Sequence, residues 1–316
     1  MAGLSANPRD VGPTLPGRVG GLRPLAAPAH VLHRPRLFID ARHGLGNRLR
    51  AIASAAAIAE ATGRELVVVW EPDHHCGARF TDLFRHAGPV IETAFPDLFA
   101  RLGGVLYNYM EVEPGAAKDA PVLAHEHAGC DVYVRSAYPL VSPHRAPGRE
   151  RAFLRALVPV AEVLELMRRV RRPNQVSMHV RMAGGPGYEH LSYEAPENWT
   201  ARGHSEIAAW RARSHATRFA ARLDALIAAG RAETVFLAAD LPATYAFFAD
   251  RYGARVAWLA RAQFDRSAGQ LRFALADALL LGAAGQFLGS GWSTFSEMAV
   301  ALSHRPLRVE LSGRDF

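Results

Sequence analysis

Strand-like and helix-like segments alternate without interruption over the second half of this 316-residue chain. Short apolar runs at 176–180, 235–239, 256–259, 286–289 and 307–311 are separated by helical spacing at about 205–229, 243–251, 270–283 and 294–303. Each interval is long enough to return the chain in the same direction, so the pattern predicts a doubly wound parallel sheet with helices on both faces. The first half opens the same way. A strand at 37–39, a glycine turn at 42–47, an Ala-rich helix at 47–61 that stops at Gly63 and a strand at 65–70 make one βαβ unit. Beyond a middle interrupted by Pro and Gly comes a strand at 131–134, then one long helix at 149–172 with Phe153, Leu154, Leu157, Val160, Val163, Leu164 and Met167 on its inward face. That helix closes in Arg168, Arg169, Arg171 and Arg172 before Pro173, cations at the negative end of the dipole and then a residue that cannot continue it. The expected organisation is α/β: a disordered leader over 1–35, a Rossmann-like domain over 36–172 and a second over 173–316, facing a cleft.

Composition removes several function classes. The leader mixes Pro8, Pro13, Pro16, Pro24, Pro28 and Pro35 with Gly and Ala and shows no periodicity. It also holds much of the formal charge of +7, because the first 36 residues carry five arginines against one aspartate. Every basic residue except Lys118 is Arg, which records a GC-rich genome rather than a nucleic-acid surface, since such surfaces concentrate basic residues between aromatics on a folded face. The longest apolar stretch, 278–289, contains Gly282, Gly285 and Gln286 and falls short of the roughly 20 residues a membrane helix needs. Two cysteines cannot make a disulfide framework, and the N-terminus lacks the apolar core of a secretory signal. The expected setting is a reducing, bacterial cytoplasm, without stable membrane insertion or a nucleic-acid partner.

Open α/β sheets bind ligands beyond the carboxyl ends of their strands, so the strand ends carry the functional reading. The first reads D-A-R-H-G-L-G-N-R-L-R over 40–50, where Gly44 and Gly46 admit a ligand to the backbone ahead of a helix N-terminus beginning at Asn47. A dinucleotide fingerprint would need glycine at Leu49. The second reads M-H-V-R-M-A-G-G-P-G over 178–187; His179 and Arg181 lie two apart, on one side of a strand, and an Arg fork suits phosphate oxygens. A third, V-F-L-A-A-D, ends in Asp240, with an N-cap for the next helix as the plain alternative. In the fourth, 277–299, Asp277 sits on an apolar helix, and Ser293 with Thr294 opens another after a glycine turn.

In this order and spacing, the four stretches resemble the GDP-fucose-dependent fucosyltransferase superfamily: the nodulation fucosyltransferases, the core alpha-1,6-fucosyltransferases and, more distantly, the protein O-fucosyltransferases. The resemblance runs over 37–303, with H-V-R at 179–181 and the block from Asp277 to Thr294 as its most specific pieces. It implies a GT-B-type inverting glycosyltransferase with an acceptor-side first domain and a second domain that holds the nucleotide sugar. By position, Arg181 would contact the donor diphosphate, His179 and Asp277 the guanine end, Asp240 the nucleoside, Ser293 and Thr294 the phosphates. Gly44, Gly46 and Asn47 would approach the donor from the first domain. One departure stands out: core enzymes carry a second Arg and then Thr-Asp where this chain has Met182, Ala183 and Gly184, closer to the nodulation enzymes.

An inverting transfer also needs a base for the acceptor hydroxyl. The segment 188–199 supplies Glu189, His190, Glu194 and Glu197, and Glu189 is the first choice. No Asp-x-Asp occurs in the chain, so no diphosphate-bridging metal and no cofactor beyond the GDP-sugar co-substrate are expected. A rival set, His74, His75 and Cys76 with His125, His127 and Cys130, has zinc-type donors in spacings unlike the usual fingers and ribbons. The sequence reading is therefore an inverting, metal-independent transfer of fucose from GDP-fucose to a carbohydrate or sugar-bearing acceptor. Its alternatives are the same fold with another nucleotide sugar, or a non-catalytic nucleotide-sugar or glycan-binding protein.

Overall fold

A computed structural model describes residues 34–95, 104–124, 129–171, 174–191 and 200–316. The strands in chain order are β1 Arg36–Ala41, β2 Glu65–Val69, β3 Phe84–Arg85, β4 Val90–Ile91, β5 Val105–Asn108, β6 Val132–Ser136, β7 Val158–Pro159, β8 Val176–Val180, β9 Val235–Ala239, β10 Val256–Ala257, β11 Gln286–Gly289 and β12 Arg308–Leu311. The helices are α1 Leu45–Ala61, α2 Pro147–Ala156, α3 Ala161–Arg168, α4 Ala201–Arg213, α5 Ala216–Ala228, α6 Pro242–Tyr252, α7 Ala268–Gly282 and α8 Thr294–Leu302.

Two five-stranded sheets result, ordered β4-β2-β1-β6-β5 and β10-β9-β8-β11-β12. All their pairings are parallel, with registers such as Leu37 opposite Val132 and Val176 opposite Val235. Parallel strands covered on both faces read as unbroken apolar runs, and β8 is buried at all five positions. In each sheet the strand order reverses beside the opening strand, between β1 and β6 and between β8 and β11. Those switch points are where a crevice opens. The largest core cluster is shared by both halves, joining Ile39, Ala55 and Val134 to Leu275, Phe287 and Met298.

Three expectations are corrected. The long helix expected at 149–172 is two helices, α2 and α3, separated by β7, which pairs antiparallel with β3. Pro159 is the reason: it lacks an N–H, its ring clashes with the preceding turn, and it biases Val158 toward extended backbone. The helix expected at about 205–229 is likewise divided. Ser214 ends α4 with its hydroxyl 2.7 Å from that of Ser312, and the extended His215 caps α5 by accepting from the Thr217 N–H. The strand expected at 256–259 pairs only over Val256–Ala257. The leader and the segments around His125, His127, Glu194 and Glu197, with Arg172 and Pro173, lie outside the described residues. Among the described residues no helix is long and apolar enough to cross a membrane.

Candidate functional site

A cleft of about 570 Å³, within the usual range for small-molecule sites, is lined by the carboxyl ends of the central strands of both sheets. Gly44, Gly46, Asn47, His179, Arg181, Asp240, Asp277, Ser293 and Thr294 all line it. Glu189 does not. It is exposed beyond the glycine loop, where its carboxylate accepts the Gly187 N–H at 3.1 Å.

On the second-half wall, a single carboxylate organises the loop that follows β8. Asp240 accepts from the Met182 N–H at 3.1 Å, the Ala183 N–H at 2.8 Å and Arg181 Nη1 at 3.1 Å. It is therefore no N-cap; Leu241 occupies that position before α6. Ser290 Oγ accepts the Arg181 N–H at 2.9 Å and donates to the His179 carbonyl at 2.8 Å, so the end of β8 is held from both sides. The rest of the Arg181 guanidinium faces the cleft. His179 is buried, 2.8 Å from Ser296 Oγ through Nδ1, and its ring lies 4.7 Å from that of Phe295. Burial, and then the charges of Arg181 and Arg211, hold its imidazole far below the ordinary value, at about 3. At neutral pH it is an uncharged hydrogen-bonding group.

Asp277 has a partner that the sequence reading did not anticipate. Arg261 Nη2 lies 2.8 Å from the carboxylate, with both side chains almost fully buried. Arg261 also donates to the Leu259 carbonyl at 3.0 Å and lies over the Phe273 ring at 4.8 Å. Burial raises the Asp277 carboxyl to about 6, and the Arg261 charge works in the opposite direction.

Two helix N-termini meet across the cleft. A side chain at Gly46 would place its Cβ 2.6 Å from the Thr294 carbonyl oxygen, so glycine is demanded there by contact between α1 and α8. Ligand access, the reason inferred from sequence, is not needed to explain it. Neither N-cap residue, Gly44 or Ser293, makes a side-chain cap bond, and the first-turn N–H groups of both helices form the floor where an anion is favoured. Asn47 Oδ1 is buried there without a hydrogen-bond partner among the described residues.

The first-half wall adds residues that sequence reasoning missed. Arg50 lies 3.8 Å from Glu297 and over Tyr138 at 5.3 Å; Lys118 lies over the same ring at 4.3 Å and pairs with Glu111. Arg211 joins the cleft from α4. Two of the non-glycine residues with left-handed backbone, His43 (φ 64°) and Trp292 (φ 51°), sit in the turns just ahead of α1 and α8. Such a conformation costs an L-residue roughly 1 kcal/mol or more, and strain of this kind gathers at functional sites.

Of the rival cation set, His125 and His127 lie outside the described residues. Cys76 is buried and its thiol is pushed up to about 11, chiefly by that burial, which keeps it protonated. Cys130 is exposed. The His74 and His75 rings lie 3.9 Å apart at a tilt of 40°, and the His43 ring lies 5.0 Å from that of His75. Among the described residues no group of three or more His, Cys, Asp or Glu side chains could hold a metal ion.

Two parallel sheets facing one cleft define a GT-B-type α/β architecture. No family model matches the chain, and no curated protein matches it in sequence. Solved structures do match. The fucosyltransferase NodZ from Bradyrhizobium is 19% identical with a TM-score of 0.53, over 84% of this chain and 93% of that one. NodZ alpha-1,6-fucosyltransferase soaked with GDP-fucose gives 18% and 0.54, over 85% and 93%. POFUT1 in complex with GDP-fucose gives 14% and 0.55, over 89% and 99%. The fold is shared with these fucosyltransferases.

Proposed function

We propose that the protein is a glycosyltransferase that moves fucose from GDP-fucose to a carbohydrate or sugar-bearing acceptor, with inversion and without a metal. One observation carries this reading: nine positions selected from sequence as donor contacts line a single cleft, in a fold shared with NodZ and POFUT1. In this reading Arg181 holds the departing diphosphate with the part of its fork that Asp240 leaves open. The N-termini of α1 and α8 add backbone donors to the same charge, which develops as the C–O bond to the diphosphate breaks. Asp277 accepts the adjacent N1–H and N2–H of guanine on the oxygen positions left by Arg261, and neutral His179 hydrogen-bonds at the same end. The acceptor enters along the wall of Arg50, Glu111, Lys118 and Tyr138. The acceptor hydroxyl gives its proton to a base as the new C–O bond forms, and Glu189 is the candidate for that role once it leaves the Gly187 N–H.

The test is calorimetry with GDP, GDP-fucose, UDP and ADP, followed by turnover assays that include hydrolysis. GDP and GDP-fucose should bind in preference to the others, and GDP at about 100 times its dissociation constant should stabilise the fold by roughly 2.7 kcal/mol. Activity should survive EDTA. A preference for UDP or ADP assigns another donor; binding of GDP-fucose with no transfer and no hydrolysis assigns a non-catalytic binding protein.

A further inference from the structure

Helix α4 is locked onto the strand-end loops of the second sheet. A Cβ at Gly185, in the loop after β8, would collide with the Arg211 Cβ, and one at Gly291, in the turn after β11, would lie 2.8 Å from the Trp210 ring. Consecutive residues of α4 thus pack where only glycine leaves room. The helix ends where the Ser214 and Ser312 hydroxyls lie 2.7 Å apart. These contacts fix its register, and that register turns Gly203, Glu206, Ile207 and Arg211, spaced as one helical face, to the cleft. Within this face Arg211 packs on Gly185, in the loop that follows Arg181.

Electrostatics place Arg211 at the same strand end. Its charge, together with that of Arg181, reaches the buried His179 imidazole on β8 and opposes its protonation. The transfer calls for such a charge. As the sugar leaves, the electron pair of the broken C–O bond stays on the diphosphate, while the acceptor oxygen forms the new bond and gives its proton to the base. Negative charge therefore grows on the phosphate side. Arg181 meets it with one guanidinium, and Asp240, 3.1 Å away, offsets part of that charge. The N-termini of α1 and α8 add only partial charges. Arg50 and Lys118 stand on the first-half wall, beside Glu297 and Glu111. We propose that Arg211 contacts the donor diphosphate beside Arg181, as a second cation on the departing charge. The proposal rests on the reading of the cleft as a nucleotide-sugar site.

The test compares wild type, Arg211→Met and Arg211→Lys by calorimetry with GDP and with guanosine, which lacks the phosphates. Arg211 also interacts within the fold, so the nucleoside is the control for damage to the site, and affinities are measured below the urea transition of each variant. Met keeps an unbranched stem against Gly185 and removes the charge; Lys restores a point charge. In Arg211→Met, GDP affinity should fall about tenfold or more while guanosine affinity stays within about twofold, and Arg211→Lys should recover at least about threefold of the loss. Unchanged GDP affinity in Arg211→Met, an equal fall for guanosine, or no recovery in Arg211→Lys overturns the proposal. A wild type that prefers UDP or ADP to GDP overturns the donor reading instead, and the same comparison of diphosphate with nucleoside in that series still decides on Arg211.

Discussion

The two halves build the same kind of sheet and use their polar side chains in opposite ways. At the strand ends of the first half, charges are neutralised internally: Asp40 pairs with Arg135 at 2.6 Å, Arg135 with Glu113 at 2.7 Å, Arg42 with Glu71 at 2.9 Å and Arg48 with Asp73 at 2.7 Å. Arg48 is fully buried, donates to the carbonyls of His43 at 2.7 Å and Glu71 at 2.8 Å, and lies 4.8 Å from the Trp70 ring. The network fixes the turn between β1 and α1 from behind. In the second half, Arg181, Ser293 and Thr294 keep donor capacity turned toward the cleft, and Asp240 braces the loop after β8 that carries Arg181. Substitutions in this first-half network of buried pairs should therefore reach the ligand only through the fold, whereas those at Arg181, Ser293 and Thr294 should act on the ligand directly.

Arg48→Met is the strongest way to break that division. It removes the ion pair to Asp73, which keeps only its bonds from the His75 and Cys76 N–H groups, and takes the guanidinium donor from the His43 and Glu71 carbonyls, a loss on the order of 3 kcal/mol. Urea unfolding should show the whole loss, while GDP affinity measured on the folded protein should stay within about threefold, less than 1 kcal/mol. A large fall in affinity with intact stability would place Arg48 in the site and collapse the distinction.

Asp277→Asn comes next and crosses the division. An amide offers guanine one acceptor and sets N–H against N–H, so GDP affinity should fall by about 2–3 kcal/mol, roughly a hundredfold. The Arg261 pair adds a structural consequence: the buried guanidinium loses its counter-charge, so the free protein should also unfold more easily. Unchanged GDP affinity in calorimetry removes Asp277 from the donor site, and an unchanged urea midpoint removes it from the fold.

The extent to which sequence revealed these assignments follows the range of the interactions involved. The strands β8, β9 and β11 declare themselves as short apolar runs, and the strand-end rule then leads to Arg181, Asp240, Ser293 and Thr294. Pro159 was visible, yet the helical spacing of Val160, Val163 and Met167 concealed the break that it imposes. The division of α4 from α5 has only a weak local mark, the His215 cap, and its other support, Ser312, lies 98 residues from Ser214. The brace from Asp240 to the loop after β8 spans 57 to 59 residues, so the local N-cap reading had nothing to contradict it. Arg261 was missed for a similar reason: its pairing with Asp277 crosses the turn before α7. Trp292 did carry a signal, a bulky residue in the glycine-rich run G-S-G-W-S-T, although its φ could be known only from the backbone.

Arg181→Lys is a milder change that isolates ligand from fold. The point charge remains, but the planar fork on the diphosphate is lost, and turnover should fall by one to two orders of magnitude, about 1.4 to 2.8 kcal/mol of transition-state stabilisation. Asp240 keeps its backbone donors from Met182 and Ala183, so the urea midpoint should shift little. Near-normal kcat/KM in this variant would remove Arg181 from the reaction.

The smallest effect tests whether the second half also governs the response to acid. His179 titrates at about 3 in the folded protein and near 6.5 when unfolded, so below pH 6.5 only the unfolded chain takes up that proton. Stability from this group is therefore lost as the pH falls toward 3. Asp277 has the opposite sign: folded, it binds its proton at about 6, against an ordinary value of 3.8. Acidification through pH 6 favours the folded state until the unfolded chain protonates as well. Between about pH 6 and pH 4 the contributions of these two groups oppose each other and largely cancel. Asp277→Asn deletes the compensating slope. Beyond its constant loss of stability, this variant should lose a further increment of about 1 kcal/mol relative to wild type between pH 7 and pH 5. Urea unfolding of both proteins at pH 7, 6 and 5 measures that increment. Parallel profiles would mean that Asp277 stays ionised across the range, and the buried pair would then have to be fully compensated by Arg261.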